Sequence, residues 1–550
     1  MMYKIWTIII FSLVFFAVGC AQASQQNNKQ LEPHYKVLYS NDTTHILTCA
    51  SPYHKKGEPF NESMLRASIK ETAGMDVDVH MLQPGTMWTP WWQSNIYSIT
   101  DHYAWFKSRY GFKPASDFNE YVYGGGDMVK VLVETCREYG LSPFVSFRMN
   151  DGHYLRWDYK RPPPSGYHTL SKFYVEHAPE YCIGDKFEGE QLDSWDARVQ
   201  NWSIPEVRQY KLSLIEELCK NYDLDGIELD FMRHASYFDL SKTTSEERKA
   251  IMSDVIRSIR TYLDNNSHGN RRKLCVRIPA FISDHDRIGL DVKKWAEAGV
   301  DMFNISSHYF LCQQTDLPQM VKMAPNKAFY LEMTHTTRTG KVFNSKSYDG
   351  FTIRRSTETQ FYTAAHLAYS RGAQGVSTFN FQYYREFGDP RSGPFFEPPF
   401  HIFKNIGDPD WVAQQPQHYI LAGLWNGAQR HNPQIPKAGY LFKPGVSATF
   451  KLDMAPRKGG WRKDGTLRVQ GSGDISDVVF EVTANGTPLV STTKVGEPYN
   501  NPYPQLLGDG SVHKGWIVPS KLLKDGVNQF HFTMNKGNDC TINFIDLAIE

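Results

Sequence analysis

Residues 221–234 have the sequence NYDLDGIELDFMRH. From Ile227 to Met232 apolar side chains recur at every second position, and this period predicts a short β-strand. Glu228 and Asp230 then share one face, where buried carboxylates are costly unless they are paired or used in chemistry. Inward acids near the carboxyl end of a strand are what the active site of a parallel barrel requires. We therefore expect an active-site strand here; the alternative is a strand end stabilised by ion pairs.

Strand-like runs alternate with helical patterns on both sides of this stretch. The predicted strands are 45–49, 77–82, 143–149, 227–232, 274–278, 302–307, 328–333 and 376–381. The predicted helices are 62–73, 97–110, 127–139, 205–222, 244–263, 290–298, 317–323 and 357–371. This order predicts an α/β fold, a (β/α)8 TIM barrel over residues 36–385. An open doubly wound sheet is the alternative, although no Gly-rich phosphate loop follows an early strand.

The pattern changes after the predicted barrel. Residues 386–436 are rich in Pro, Gly and aromatic residues and are interpreted as a connector, with a helix predicted over 419–424. From 437 to 550, short alternating runs are broken by turn residues, which predicts an antiparallel β-sandwich. Within it, residues 516–530 resemble the jelly-roll modules that accompany carbohydrate-active barrels. The resemblance implies an accessory module that either binds glycan or supports the barrel.

The N-terminus is interpreted as a targeting segment. Lys4 precedes an apolar run over 8–18 that is too short to span a membrane comfortably. This run ends in the sequence AVGC, which resembles a bacterial lipoprotein signal and implies lipidation of Cys20. We expect a signal peptide over 1–20, a polar tether over 21–35 and a lipid anchor in the outer membrane. The alternative is cleavage at the small-residue sequence 21–23, which would give a periplasmic or secreted protein.

Composition narrows the classes of partner. The formal net charge of +1 gives no electrostatic reason to expect a nucleic acid partner. Aromatic residues make up 14% of the chain, which suits a protein that stacks rings on sugars. No H-E-x-x-H or EF-hand motif is present, and no G-x-S-x-G motif. We therefore predict no metal, no cofactor and no serine nucleophile.

The fourth predicted strand resembles motifs of known glycosidases. Residues 225–230, DGIELD, resemble the D-G-x-D-x-D core of family 18 glycoside hydrolases, but Met232 stands where that family has its acid. The run as far as His234 resembles the fourth-strand motif of amylase-type hydrolases, a resemblance that implies Asp230 as nucleophile. The whole stretch resembles bacterial glycosyl hydrolase-like barrel proteins, which carry D-G-I-x-x-D-x-x-R. These resemblances imply a glycoside hydrolase without the family 18 mechanism.

Hydrolysis of a glycoside by this chemistry requires a second carboxyl group. Glu332, at the end of the seventh predicted strand, is the best candidate, and Asp151 after the third strand is a further one. The pairing resembles that of a large group of retaining barrel glycosidases, which implies Glu332 as nucleophile and Asp230 or Glu228 as acid/base. The amylase-type resemblance implies the reverse. Glu228 would also shift the pKa of Asp230, since neighbouring carboxylates separate their titrations. The alternative for Glu332 is an ion pair with an Arg.

Polar and aromatic residues near other strand ends are predicted to bind the sugar. On the third strand, Arg148, Asn150 and Asp151 would bind hydroxyl groups or a uronate or sulfate, since Arg suits planar anions. The alternative for Arg148 is an ion pair with Glu228. The other candidates follow the second, fourth and sixth strands: Trp88, Trp91, Trp92, Arg233, His234, His308 and Tyr309.

The three Trp residues are predicted to form an exposed stacking platform, because exposed apolar patches usually mark binding sites. Packing against the barrel rim is the alternative. Together these features predict an exported glycosidase that cleaves a polysaccharide or its oligosaccharides, with an anionic substrate as one possibility. Two alternatives stay open: a non-catalytic surface glycan-binding lipoprotein, and a polysaccharide lyase acting on a uronic-acid polymer.

Overall fold

The structure is a computed structural model. It describes residues 35–49, 51–53, 57–86, 88–113, 116–153, 169–184, 198–267, 269–338, 353–385, 397–424, 434–436, 438–502 and 510–550. The predicted signal segment with Cys20, and residues 21–34 of the predicted tether, lie outside the described residues. No helix within the described residues is both long and apolar enough to cross a membrane.

Eight parallel strands close into a barrel in chain order, because the first strand pairs with both the second and the eighth. They are β1 (Val37–Asn41), β2 (Val79–Leu82), β3 (Ser142–Arg148), β4 (Gly226–Asp230), β5 (Lys273–Pro279), β6 (Met302–Ser306), β7 (Ala328–Thr334) and β8 (Gly375–Phe379). Parallel strands bring their carboxyl ends to one face of the barrel, where enzymes of this fold carry their active sites. The predicted barrel is therefore confirmed.

The first strand was predicted in the wrong place. Residues 45–49 were expected to be β1, but His45–Thr48 form a helical turn, and β1 is Val37–Asn41. Asp42 stabilises the turn, since its Oδ1 accepts hydrogen bonds from the Thr44 hydroxyl (3.0 Å) and the His45 N–H (3.3 Å). Both runs are short and apolar, and pairing with β2 and β8 decides between them. Sequence periodicity does not contain that information.

Helices connect the strands on the outside of the barrel. The principal ones are Glu62–Lys70, Ile99–Tyr110, Asp117–Tyr123, Met128–Tyr139, Lys172–His177, Pro205–Asn221, Ser245–Asn265, Val292–Glu297, Leu317–Met323 and Glu358–Ser370. Their starts follow local sequence rules. Thr244 and Glu247 form a reciprocal capping box ahead of the helix Ser245–Asn265. Pro205 opens the next-longest helix at its first position, where a missing N–H costs nothing.

The C-terminal region forms antiparallel sheets, as predicted. The strands are β9 (Gln417–Ala422), β10 (Tyr440–Phe442), β11 (Ser447–Met454), β12 (Gly465–Gly471), β13 (Val479–Ala484), β14 (Thr487–Pro488), β15 (Val490–Thr492), β16 (His513–Val518), β17 (Gly526–Lys536) and β18 (Cys540–Ile549). One sheet has the order β9-β18-β12-β16-β15, with β10 also on β18; the other has the order β11-β17-β13-β14. Along β11, buried and exposed side chains alternate, so one face of this sheet packs inward.

The helix predicted over 419–424 is wrong. Residues 417–422 form β9, which pairs with β18 in the sandwich. Tyr419 and Leu421 pack into the sandwich core, whereas Ile420 and Ala422 pack into the barrel core. A strand that is buried on both faces has no alternation of apolar and polar residues. Its sequence is therefore a continuous apolar run, which periodicity alone cannot distinguish from a buried helix.

Candidate active site

Arg277 on β5 lies at the centre of the barrel near the carboxyl ends of the strands, with no exposed surface. Its Nε donates to Glu332 Oε2 (2.5 Å), its Nη2 to Glu332 Oε1 (2.7 Å) and its Nη1 to Asp230 Oδ1 (3.0 Å). Asp230 and Glu332 therefore do converge, through one shared guanidinium. Sequence analysis missed Arg277. The signal was available, since a charged residue within an apolar strand needs a buried partner.

Glu332 is fully enclosed in this cluster. Besides its two bonds from Arg277, Oε1 accepts a hydrogen bond from the Ser306 hydroxyl (2.6 Å). Burial raises its pKa, and the charge of Arg277 opposes that rise. Both carboxylate oxygens are occupied and the side chain has no exposed surface. This geometry matches the ion-pair alternative, and it gives Glu332 no surface with which to contact a substrate.

Asp230 has an unused oxygen. Its Oδ1 accepts from Arg277 and from the backbone N–H groups of Met232 (2.8 Å) and Arg233 (3.2 Å). Within the described part of the chain all of its hydrogen bonds fall on Oδ1, which leaves Oδ2 for a ligand. The side chain is 4% exposed. Asp230 is therefore held rigidly while one oxygen still accepts.

Glu228 lies one layer deeper in the barrel. Its oxygens accept hydrogen bonds from the Ser146 hydroxyl (2.7 Å) and the Asn304 amide (2.9 Å). Burial raises its pKa to about 7, although Arg277 opposes the rise. Arg148 does not pair with Glu228, which was the alternative considered for it; its Nη1 lies 3.5 Å from Asp151 Oδ2. Glu228 can affect Asp230 through charge, but it has no exposed surface of its own.

A second cluster lies just beyond the strand ends and involves Asp151, His153, Arg233 and His308. His153 Nδ1 donates to Asp151 Oδ1, and Arg233 Nη2 donates to His153 Nε2. Arg233 Nη1 lies 3.4 Å from His308 Nε2. Because the backbone N–H of Arg233 also bonds Asp230, Arg233 connects the two clusters.

The protonation states of this second cluster follow from burial and neighbouring charge. Burial lowers the pKa of His153 to about 4, with Arg233 adding to the effect and Asp151 opposing it. Burial and Arg233 likewise hold the pKa of His308 well below its usual value. For Asp151, burial alone would raise the pKa, but His153 and Arg148 outweigh it and hold the pKa well below its ordinary range. At neutral pH the imidazoles are therefore neutral and Asp151 is ionised.

His234 completes a group of three potential metal ligands with Asp151 and His153, whose ligand atoms lie within 4.8 Å of one another. The environment is unfavourable for a cation. The guanidinium groups of Arg148 and Arg233 contact Asp151 and His153, and Gly152 N–H donates to His234 Nδ1 (2.8 Å). Hydrogen bonds and ion pairs are enough to explain why these side chains lie together. That the protein binds no metal stays a prediction.

Three residues at the barrel mouth have strained backbones. His234, His308 and Asn380 follow β4, β6 and β8 and have φ angles of 60°, 60° and 55°. Residues other than Gly rarely adopt this left-handed conformation, and where they do the strain often accompanies a functional site. The side chain of Asn380 is buried, and both of its amide atoms lack a hydrogen-bond partner among the described residues. The barrel mouth therefore combines strained backbone conformations with an amide, that of Asn380, whose polar atoms have no partner among the described residues.

Two other predicted binding residues lie nearby but differ in role. Asn150 is fully buried, and its amide donates to the carbonyl oxygens of Gln200 (2.9 Å) and Ser236 (2.7 Å), which connects neighbouring loops. Tyr309 is half-buried, with the Arg233 guanidinium 5.7 Å from its ring centroid. Tyr309 can therefore contact a ligand, whereas Asn150 braces the loops around it.

The predicted exposed Trp platform is not what the structure shows. Trp91 and Trp92 are each 2% exposed. Trp91 stacks on Phe118, and Trp92 Nε1 donates to Glu217 (2.9 Å). These two rings pack inside the protein, because burial of so much apolar area outweighs exposure at a loop. Trp88 is also buried, at 7% exposure, and together with Trp92 it lines a pocket beside β3.

Comparisons with known proteins give distant similarities. No protein-family model matches the chain, and no curated protein matches it either. Among solved structures, it is similar to α-L-fucosidase isoenzyme 1 from Paenibacillus thiaminolyticus, with 12% identity, a TM-score of 0.37, and coverage of 92% of this chain and 99% of that one.

Two chitinases are also similar. That of Chromobacterium violaceum has 12% identity, a TM-score of 0.35, and coverage of 68% of this chain and 98% of its own. The group IV chitinase of Ostrinia furnacalis has 13% identity, a TM-score of 0.36, and coverage of 68% and 99%. Identities this low do not transfer an activity, so the functional argument must come from the site.

Proposed function

We propose that the protein is a glycoside hydrolase whose active site is the carboxyl-end mouth of the barrel. One observation carries the proposal: Asp230, at the end of β4, is fixed by three hydrogen bonds on Oδ1 and keeps Oδ2 for a ligand. A held carboxylate in a barrel mouth is suited to act as nucleophile or base toward a sugar. The resemblance of residues 225–234 to glycosidase motifs supports the same chemistry.

Hydrolysis adds water across the glycosidic bond, so the leaving oxygen gains a proton and the anomeric carbon gains a hydroxyl group. We assign the attack on the anomeric carbon, or the activation of water, to Asp230. Arg277 holds Asp230 in place, and Glu332 orients Arg277, so both are positioning residues. The Asp151–His153 pair is the second proton-transfer group, connected to Asp230 through Arg233. Because its imidazole is neutral at neutral pH, it passes to the leaving oxygen a proton that it first takes up from solvent.

The substrate proposed is a polysaccharide or its oligosaccharides. Arg148, Arg233, His308 and Tyr309 surround the mouth and offer donors and a ring face to sugar hydroxyl groups. Two of these residues, Arg148 and Arg233, are cationic, which suits a sugar with a carboxylate or sulfate group. The sandwich would then support the barrel or bind glycan beside it.

The test is a glycan panel of neutral, uronic-acid and sulfated polymers, assayed by release of reducing ends. Asp230→Asn is expected to lower turnover by about 10³-fold, since acid–base groups contribute about 10²–10⁴-fold. Asp254→Asn, at an exposed helix position, is the matched control and should leave turnover unchanged. Full activity of Asp230→Asn would refute the assignment. Binding without cleavage by the wild type would instead identify a non-catalytic glycan-binding protein.

A polysaccharide lyase is the second candidate, and one observation favours it. His153 is a neutral imidazole backed by Asp151 and flanked by Arg148 and Arg233, an arrangement that can remove a proton beside a uronate. The base would take the C5 proton, a C4=C5 double bond would form and the C4–O bond would break. The product absorbs in the ultraviolet and takes up no oxygen from ¹⁸O-labelled water, whereas a hydrolysis product takes up one.

We also propose that the protein is exported and held at the outer membrane by lipid on Cys20. The support is the AVGC sequence after the apolar run over 8–18. Cys20→Ala is expected to move the protein from the membrane fraction to the soluble fraction of a Gram-negative host. An unchanged distribution would contradict the lipid anchor and favour an ordinary secretory signal.

A further inference from the structure

A pocket lies beside β3, between the loop that follows β2 and the helix Pro205–Asn221, and encloses about 310 Å³ including its open mouth. Its polar and aromatic lining includes Gln83, Trp88, Phe147, Arg148 and Lys211. Arg148 is the register partner of Asp230 on the neighbouring strand. Arg148 therefore links the pocket to the strand that carries the proposed catalytic carboxylate.

Lys211 is the most unusual group in this pocket. Its side chain is buried at 1% exposure, and its Nζ lies 3.9 Å from the ring centroid of Trp88 and 4.6 Å from that of Phe147. Across the described ranges, its amine forms no hydrogen bond or ion pair. Lys is almost never fully buried without a partner. Because this amine lines an open pocket, the missing partner has space to bind.

The indole of Trp88 adds a second donor without a partner. Its Nε1 is buried and makes no hydrogen bond within the part of the chain that the structure describes. The backbone of Trp88 has a φ angle of 66°, a conformation that a bulky residue rarely adopts. Buried donors are nearly always bonded, so an exception needs an explanation such as a ligand.

Arg148 supplies a third donor. Its ion pair with Asp151 has a long separation of 3.5 Å between Nη1 and Oδ2. Asp151 is also bonded by His153, so its charge is already shared. Around the pocket Arg148 and the amine of Lys211 face one carboxylate, that of Asp151. The excess of hydrogen-bond donors, and an amine that can take up a proton, favour an anionic ligand.

We propose that this pocket binds an oxyanion substituent of a sugar, a carboxylate or a sulfate ester, through Lys211, Arg148 and the indole N–H of Trp88. The inference rests on the proposed function in naming a sugar, since it assigns the substrate class of that same site. The anion would bind beside Asp230, so that the bond to be cleaved lies next to the charged sugar unit.

Proton uptake is an expected consequence. Burial holds the pKa of Lys211 well below its ordinary value, with Asp151 opposing the shift. The charged groups around the amine are Asp151 and Arg148 from the β3 side; Glu217, on its own helix, is engaged by Trp92 and Ser94. An arriving anion favours the charged amine, so binding should be accompanied by uptake of a proton from the buffer.

The test is calorimetric titration of the whole protein with sodium glucuronate, glucose 6-sulfate and glucose. The wild type is expected to bind at least one anionic sugar about tenfold more tightly than glucose, with a heat that depends on the ionisation enthalpy of the buffer. Lys211→Met should remove this preference. Lys220→Met, an exposed lysine on the same helix, is the matched control and should retain it.

Trp88→Phe is a second variant that retains the ring and removes only the N–H. It should weaken the binding of anionic sugars by about threefold to tenfold without changing the affinity for glucose. Thermal unfolding of each variant checks its fold, and Trp88→Phe keeps the test decisive if Lys211→Met does not fold. Preference for glucuronate alone, or for glucose 6-sulfate alone, would support the proposal and identify the substituent.

Equal affinity of the wild type for all three sugars, or an unchanged preference in folded Lys211→Met, would overturn the proposal. Cleavage of anionic glycans at the same rate by wild type and folded Lys211→Met would remove the anion site and leave the proposed hydrolase intact. Anion binding by a wild type that cleaves no glycan would support the anion site and refute the proposed hydrolase. The two proposals therefore fail separately.

Discussion

The barrel and the sandwich each bury an Arg against a carboxylate, and the two clusters differ in how completely they are bonded. In the barrel, Arg277 holds Asp230 and Glu332. In the sandwich, Arg468 on β12 holds Asp546 on β18. All of these side chains are almost entirely buried. Burial of a charged pair therefore does not by itself indicate function.

The sandwich cluster has no unused oxygen. Asp546 Oδ1 accepts from Arg468 Nε (3.0 Å), and Oδ2 accepts from Arg468 Nη2 and from His418 Nε2 (2.8 Å). Arg468 Nη1 donates to the carbonyl oxygens of Val495 (3.0 Å) and Gly496 (2.7 Å). Burial would raise the pKa of Asp546, but Arg468 and His418 outweigh it and hold the pKa far below its usual value. This cluster can only stabilise the fold.

The barrel cluster is incomplete in comparison. Asp230 Oδ2 has no partner among the described residues, and the amide of Asn380, just after β8, also has unused polar atoms within them. A fully satisfied polar network rigidifies a protein, whereas unused capacity at a strand end is available to a ligand. The difference supports the proposal that the chemistry takes place at the barrel mouth and not at the sandwich cluster.

Arg277→Met is expected to have the largest effect. It leaves Asp230 and Glu332 buried without their cation, which should cost about 5 kcal/mol of the free energy of unfolding. Activity should also be lost, because Asp230 loses its anchor. Urea unfolding and turnover, measured on the same preparation, check both effects. A stable and active Arg277→Met would show that this cluster neither holds the barrel nor positions Asp230.

Arg468→Met is the matched change in the sandwich. It should cost about 4 kcal/mol, because Asp546 remains buried with only His418 as a partner. Turnover per folded molecule should match the wild type, since the cluster has no role at the barrel mouth. Activity normalised to the folded fraction, determined by circular dichroism, is the measurement. A large loss of turnover in folded protein would show that the sandwich cluster, like the barrel cluster, contributes to activity.

Glu228→Gln is expected to change how stability depends on pH. The pKa of Glu228 is raised by burial from 4.5 to about 7 in the folded protein. Between these values the folded state binds more protons than the unfolded state, so the wild type loses stability as pH rises through this window. The variant lacks this loss and should gain, relative to the wild type, roughly 3 kcal/mol from pH 4.5 to pH 7.5.

Urea unfolding at several pH values measures this relative gain, and Glu138→Gln at an exposed helix position is the control, which should follow the wild type. Because other groups titrate in the same window, only the difference between variant and wild type is informative. A difference that does not change with pH would show that Glu228 is ionised in the folded protein across the window.

Asp453→Asn should have the smallest effect. Arg371, just after the barrel helix Glu358–Ser370, donates to both carboxylate oxygens of Asp453 on β11 (2.6 and 2.7 Å). The pair is partly exposed, at 16% and 23%, so its loss should cost about 1 kcal/mol. Thermal unfolding measures the change, and turnover should be unaffected. A loss as large as that of Arg468→Met would mean that this pair holds the sandwich to the barrel more strongly than its exposure implies.

Much of the fold could be predicted from local pattern. Alternating and continuous apolar runs predicted seven of the eight barrel strands, which are separated by helices along the chain. The two failures, residues 45–49 and 419–424, are runs whose structure depends on which strands pair with them. Pairing partners are remote in sequence, so periodicity cannot supply them.

The site was predicted less completely. Asp230 and Glu332 follow from their positions at predicted strand ends, and the structure brings them to the same guanidinium. That Glu332 is enclosed while Asp230 keeps an oxygen depends on Arg277 and Ser306, which belong to other strands. Trp91 and Trp92 were expected on the surface, but their burial depends on Phe118 and Glu217, which lie in helices outside the barrel.

By itself, the sequence determined the parallel barrel, the change to antiparallel strands after it, and acids at the mouth, because each follows from the spacing of neighbouring residues. Only the tertiary structure decided which of these acids is fully bonded and which retains an acceptor. It also placed the buried amine of Lys211 against the ring of Trp88. Hydrogen-bond saturation and burial are set by contacts between remote segments, and such contacts exist only once the chain has folded.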